Sequence, residues 1–118
     1  MNFTIDDKQY NLRFSFLSLK KITAQLGEDQ LAKIEEIATR ISFANVATLI
    51  QICIAADLRK SKSKQKPPST EAIEEAFDLE ENEGALAQFV NALMTAFGRH
   101  LGVADEAEDL QKAVDEGN

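Results

Sequence analysis

Histidine and cysteine occur once each in these 118 residues, tryptophan not at all, proline twice and glycine five times. These scarcities exclude much chemistry. A nucleophilic enzyme needs a nucleophile, a base and a group that orients the base. His100 and Cys53 fall in separate predicted helices. Cys53 lies among isoleucines, the ordinary setting of a small buried thiol, and His100 ends a helix, where a cation complements the dipole. No catalytic residue is expected. One histidine and one cysteine do not complete a structural zinc site. "DLEENEG" spaces Asp78, Glu80 and Asn82 alternately, as a calcium loop does. Its glycine comes one place late at Gly84, and Phe89 stands where the bidentate acid belongs. We read it as a solvated acidic turn. So few glycines offer no phosphate-cradling loop, and neither a metal nor a cofactor is expected.

Long hydrophobic runs are also missing. "VATLIQICIAADL" is interrupted by Gln51 and Asp57, and as a helix it reaches only about 20 Å of the roughly 30 Å a bilayer core requires. The opening "MNFTIDDKQY" carries acids where a secretory leader would be basic and then apolar. A lone cysteine forms no internal disulfide, which fits a reducing cytoplasm. The expectation is a soluble, cytoplasmic protein that does not enter membranes.

What is present is apolar residues, 44% of the chain, and segregated charge within a net of −7. Residues 1–58 sum to −1, residues 59–66 ("RKSKSKQK") to +5, and residues 67–118 to −11. An acidic half of that size repels phosphate backbones. The lysines end one predicted helix and the acids of "PPSTEAIEEAFD" begin the next, so each complements a helix dipole. Residues 59–69 therefore read as a solvated connector rather than a nucleic-acid arm.

The fold class expected is mainly α: an N-terminal β-hairpin, about five helices in a small bundle, and an acidic flexible tail. Residues 1–102 form the single domain and 103–118 the tail. In "NFTIDDKQYNLRF", Phe3 and Ile5 share one strand face, Tyr10, Leu12 and Phe14 share the next, and Asp6-Asp7 makes the turn. A first helix carries Phe16, Leu19, Ile22 and Leu26 inward between Ser15 as N-cap and Gly27 as stop. A second runs through "EDQLAKIEEIATRIS". The third, Asn45 to Lys60, is apolar nearly all round, which makes it either central or shared with a partner. A short fourth, about 70–80, turns Ile73, Phe77 and Leu79 inward. The last carries Leu86, Phe89, Val90, Leu93, Phe97 and Leu101 on one stripe.

So small a chain has apolar surface to spare. Any excess left outside the core would mark an interface for its own copies or for another chain. The candidate partner-binding residues are Ile50 and Ile54 on the third helix and Phe89, Leu93 and Phe97 on the last.

"FTIDDKQYNLRFSFLSLKKI", with its Tyr10-x-Leu12-x-Phe14 strand running straight into a helix, resembles the start of tail assembly chaperones of long-tailed phages and prophages of Gram-positive bacteria. The likeness continues through "ATLIQICIAADL", "PSTEAIEEAFD" and "ALAQFVNALMTAFG", and so covers residues 2 to about 101. It implies a small non-enzymatic protein of the host cytoplasm, absent from the mature virion, that binds and solubilises the tape measure protein. Copies would act together as a homo-oligomer. A longer frameshifted form would recruit the tail tube protein, this chain being the short form. Two other classes fit the composition: a small nucleic-acid-associated regulator using the basic loop, and a self-assembling structural subunit of the virion.

Overall fold

A two-residue turn starts the architecture. Strands β1 (Asn2–Ile5) and β2 (Lys8–Asn11) pair antiparallel with Ile5 opposite Lys8, leaving Asp6 and Asp7 as the loop. Both have positive φ, 50° and 64°, as a type I′ turn requires, and aspartate tolerates that region better than most residues. The computed structural model describes residues 1–27 and 34–102. The start of the second predicted helix and the whole acidic tail lie outside the described residues.

Phe3 and Ile5 are buried on one face of the ribbon. Past β2 the chain stays extended and crosses a helix. The Leu12 N–H donates to the Met1 carbonyl (2.9 Å), and the Arg13 N–H to the Cys53 carbonyl (3.0 Å). The second bond ties the hairpin to the middle of α3 (Val46–Lys60), supplying the docking that an isolated two-stranded ribbon needs.

Helix α1 (Phe16–Gln25) begins where Ser15 Oγ accepts the Ser18 N–H at 3.2 Å. It stops at Leu26, before Gly27 with φ 75°. Leu19, Ile22 and Leu26 are buried, but Phe16 is 69% exposed, against the expectation that it faced inward. Side chains lean toward the N-terminus of their helix, so at the first helical residue that lean carries the ring off the end of the core. Helix α2 (Ile34–Thr39) contributes Ile37.

Helix α3 is the central element, packed against α1, β2 and α4 (Thr70–Ala76). Its apolar girth is thereby used within the chain, which decides between the two readings its sequence left open. It closes with Lys62 at φ 58° and the Ser63 N–H donating to the Leu58 carbonyl at 2.9 Å, a C-cap of the Schellman kind. Residues 61–66 are exposed. The connector is held through two glutamines: Gln65 Nε2 donates to Tyr10 Oη (3.3 Å), Gln65 Oε1 accepts from Lys8 Nζ, and Gln51 Nε2 donates to the Pro68 carbonyl (3.0 Å).

Ser69 caps α4, its Oγ accepting the Ala72 N–H at 3.1 Å. The helix ends at Ala76, earlier than its periodicity suggests, and a single 3-10 turn (Glu80–Asn82) follows. The helical phase therefore does not reach Leu79, which is 37% exposed rather than inward. Gly84, at φ 76°, opens α5 (Ala85–Leu101), which packs on α1 and α2. Two aromatic contacts join ribbon to helices: Phe3 meets Phe77 edge-on at 5.1 Å, and Phe14 meets Phe89 at 5.7 Å. The fold is mainly helical with an N-terminal hairpin, as the sequence leads one to expect.

Candidate functional site

The five residues proposed from sequence as partner contacts all lie in the core. Ile50, Ile54, Phe89 and Leu93 are fully buried, and Phe97 is 2% exposed. A molecule meeting the folded domain from outside does not touch them. The exposed large apolar side chains among the described residues are Phe16, Leu17, Phe43 and Leu79.

Phe43 is 87% exposed, yet it sits on a firmly tied turn. Asn45 Oδ1 accepts the Ser42 N–H (2.8 Å), Asn45 Nδ2 donates to the Arg40 carbonyl (2.8 Å), and the Val46 N–H donates to the Ser42 carbonyl (3.0 Å). The same asparagine is the N-cap residue of α3. Its side chain serves the turn instead of the helix end, and so fixes where the phenylalanine projects. Beside Phe43 runs a groove of about 540 Å³ between the start of α3, the end of α4 and the start of α5. Phe77, Ala85 and Leu86 line it together with Glu74, Asp78 and Glu83, and no cationic side chain of the described residues does.

A second depression, about 640 Å³, lies between the β2–α1 segment and the C-terminal half of α5, with Arg13, Arg99 and His100 in its lining and, among the described residues, no carboxylate. The His100 ring stands edge-on to Phe16 at 5.8 Å. Arg13 Nε is 3.9 Å from Asp57 Oδ1 and has no hydrogen-bond partner.

Asn82, read from sequence as part of a solvated turn, is buried. Its Oδ1 accepts the Thr4 N–H (2.9 Å), and its Nδ2 donates to the carbonyls of Thr4 (2.7 Å) and Ala76 (2.7 Å). The side-chain amide thus mimics a strand partner for β1 while closing the end of α4. It shapes the floor of the Phe43 groove, which it also lines.

Cys53 and His100 are far from forming a reactive pair: the thiol is buried in α3, while the imidazole is exposed at the end of α5. Burial pushes the Cys53 thiol up from 9.0 to about 12, so it stays neutral and a poor nucleophile. Native protein is expected to resist iodoacetamide and to react fully once unfolded. Because the folded value is the higher one, this thiol leaves stability unchanged below about pH 9. Between pH 9 and 12 the unfolded chain ionises first and stability falls. A Cys53→Ala variant should lose that part of the alkaline decline, as read by denaturant midpoints across pH.

The described residues form a small, mainly helical fold whose outward features include two depressions of opposite lining charge with phenylalanines beside them. A family model described as phage tail assembly chaperone protein, TAC, matches residues 2–112, and the chain belongs to that family. No curated protein and no solved structure matches the chain.

Proposed function

We propose that this chain binds the tape measure protein of a long-tailed phage of Gram-positive bacteria and holds it in solution in the host cytoplasm until tail tube subunits replace it. The observation that carries this reading is Phe43, a large apolar side chain held 87% exposed by three hydrogen bonds around its turn. Rigid exposed aromatics beside an apolar groove are the usual anchors of a helix-in-groove interface. Glu74, Asp78 and Glu83 around that groove favour an amphipathic helix flanked by lysine or arginine. Such binding masks apolar surface by mass action and needs no nucleotide. Several copies would serve one client, and a longer form of the chain would recruit the tube protein.

Co-expression tests this. The tape measure protein should move from pellet to supernatant with the native chain. Phe43→Ser should lose at least about tenfold in that effect, the loss typical of an aromatic anchor, while keeping its circular dichroism and melting temperature. A client that stays insoluble at every ratio, or is equally soluble with Phe43→Ser, defeats the proposal.

A further inference from the structure

The depression lined by Arg13, Arg99 and His100 concentrates cations on a chain of net charge −7. Arg99 and His100 stand in the last turn of α5, and among the described residues no carboxylate lines the depression. Arg13 Nε has no hydrogen-bond partner among those residues, and its contact to Asp57 is long at 3.9 Å. Cations gathered in a concavity focus a positive potential that attracts anionic groups. Asn91, Thr95 and Arg99 follow at four-residue steps, so one face of α5 forms a wall of this cleft. That wall is about 12 Å long at 1.5 Å per residue. Phe16, exposed, extends it through the contact with His100.

The chain supplies an anionic segment at the end of this wall. Residues 103–118, which lie outside the described residues, carry six carboxylates and one lysine. Four of the six, Asp105, Glu106, Glu108 and Asp109, come within seven residues of Gly102, and Leu110 follows them. Gly102 is the C-cap of α5 at φ 75°, the left-handed residue that ends a helix and redirects the chain. Seven residues reach at most about 24 Å, twice the length of the wall. The family match runs on to residue 112. These four carboxylates therefore lie within the matched pattern, whereas Asp115 and Glu116 lie beyond it.

We infer that the acidic segment 103–112 folds back into the basic cleft of its own chain, setting its carboxylates against Arg99, His100 and Arg13 and covering Phe16. The exposed connector, residues 59–66, also has five cations, but Arg99 and His100 precede the segment by only a few residues. So short a tether presents the segment to the cleft at an effective concentration of about millimolar, and weak charge pairs then suffice. Any other anionic partner must displace the segment, and its apparent affinity falls with the fraction of molecules whose cleft is open. The inference involves neither Phe43 nor a client, and its failure leaves the proposed function standing.

A nitroxide attached to Lys112→Cys in the full chain reads the contact. Cys53 is buried and its thiol neutral, so the reagent spares it. In amide proton–nitrogen spectra at low salt, the label should broaden Arg13, Phe16 and Thr95 more than any residue of the connector. The broadening should be lost at about 0.5 M NaCl, where the Debye length falls to a few ångströms. Arg99→Glu, at an exposed position, should lose it at low salt, because like charges then meet. The pair Glu106→Lys and Glu108→Lys, outside the described fold, should lose it as well. Tenfold dilution should leave it unchanged, as a contact within one molecule requires. The inference is overturned if the broadening is absent at low salt, persists in 0.5 M NaCl or in both variants, centres on the connector, or falls on dilution.

Discussion

Replacing Phe97 with alanine is expected to lower the stability of the domain by about 3–5 kcal/mol, the usual cost of deleting a buried phenylalanine ring. The ring is 2% exposed and belongs to the same buried cluster as Phe89 and Leu93, which precede it at helical spacing on α5. Its removal takes transfer free energy away and leaves a cavity that the elements packed on α5, α1 and α2, fill only in part. Phe97→Asp should go further and abolish the cooperative transition, because a carboxylate there has no partner. By contrast Phe16→Ser and Phe43→Ser change side chains already in water, and should stay within about 0.5 kcal/mol of the native chain. Guanidinium denaturation followed by circular dichroism separates the two groups. A Phe97→Ala variant as stable as the native chain would mean that α5 turns its stripe outward.

Asn82→Ala is the second large effect, expected at about 3 kcal/mol. The change leaves the Thr4 N–H and the carbonyls of Thr4 and Ala76 without their side-chain partner. Each buried polar group so orphaned costs about 1–3 kcal/mol, less where water reaches it. Thr4 is only half-buried, which holds the total toward the lower part of the combined range. Asn82→Asp tests the direction of the bonds. It keeps an acceptor for Thr4 but sets a second oxygen against two carbonyls. Its carboxyl should therefore protonate more readily than usual, and this variant should regain stability as pH falls. If Asn82→Ala melts with the native chain, the amide is not the link between β1 and the end of α4.

Much of the architecture is legible in the sequence because it is set by local rules. Alternation names the ribbon, Asp6-Asp7 its turn, Ser15 a helix cap, and Gly27 a helix stop. The errors fall where periodicity runs past the end of an element. Phe16 keeps the spacing of the α1 stripe but stands at its first residue. Leu79 keeps the spacing of α4 but lies beyond its last. The proposed contacts on α3 and α5 lie buried for a related reason: an apolar stripe looks the same in sequence whether a neighbouring helix of the same chain or another molecule covers it. Only the packing of α3 between α1, α4 and β2 decides that. Phe43 had no distinct signal, because it stands three, four and seven residues before Val46, Ala47 and Ile50 and so keeps the spacing of the buried stripe of α3. Asn82 had none, because its partners are the backbone groups of a distant strand.

That distance bears on how the protein is made. Thr4 and Asn82 are 78 residues apart in sequence, and the ribbon's other anchor, the Cys53 carbonyl, also comes long after it. A two-stranded ribbon alone is marginal in water. The ribbon is therefore synthesised well before these anchors and secured only after them. At about 5–20 residues per second it waits roughly 4–16 s for Asn82 to be synthesised, longer by the time needed to clear the exit tunnel. During that interval Phe3 and Ile5 are uncovered, so this member of a chaperone family is itself, for some seconds, an unshielded chain.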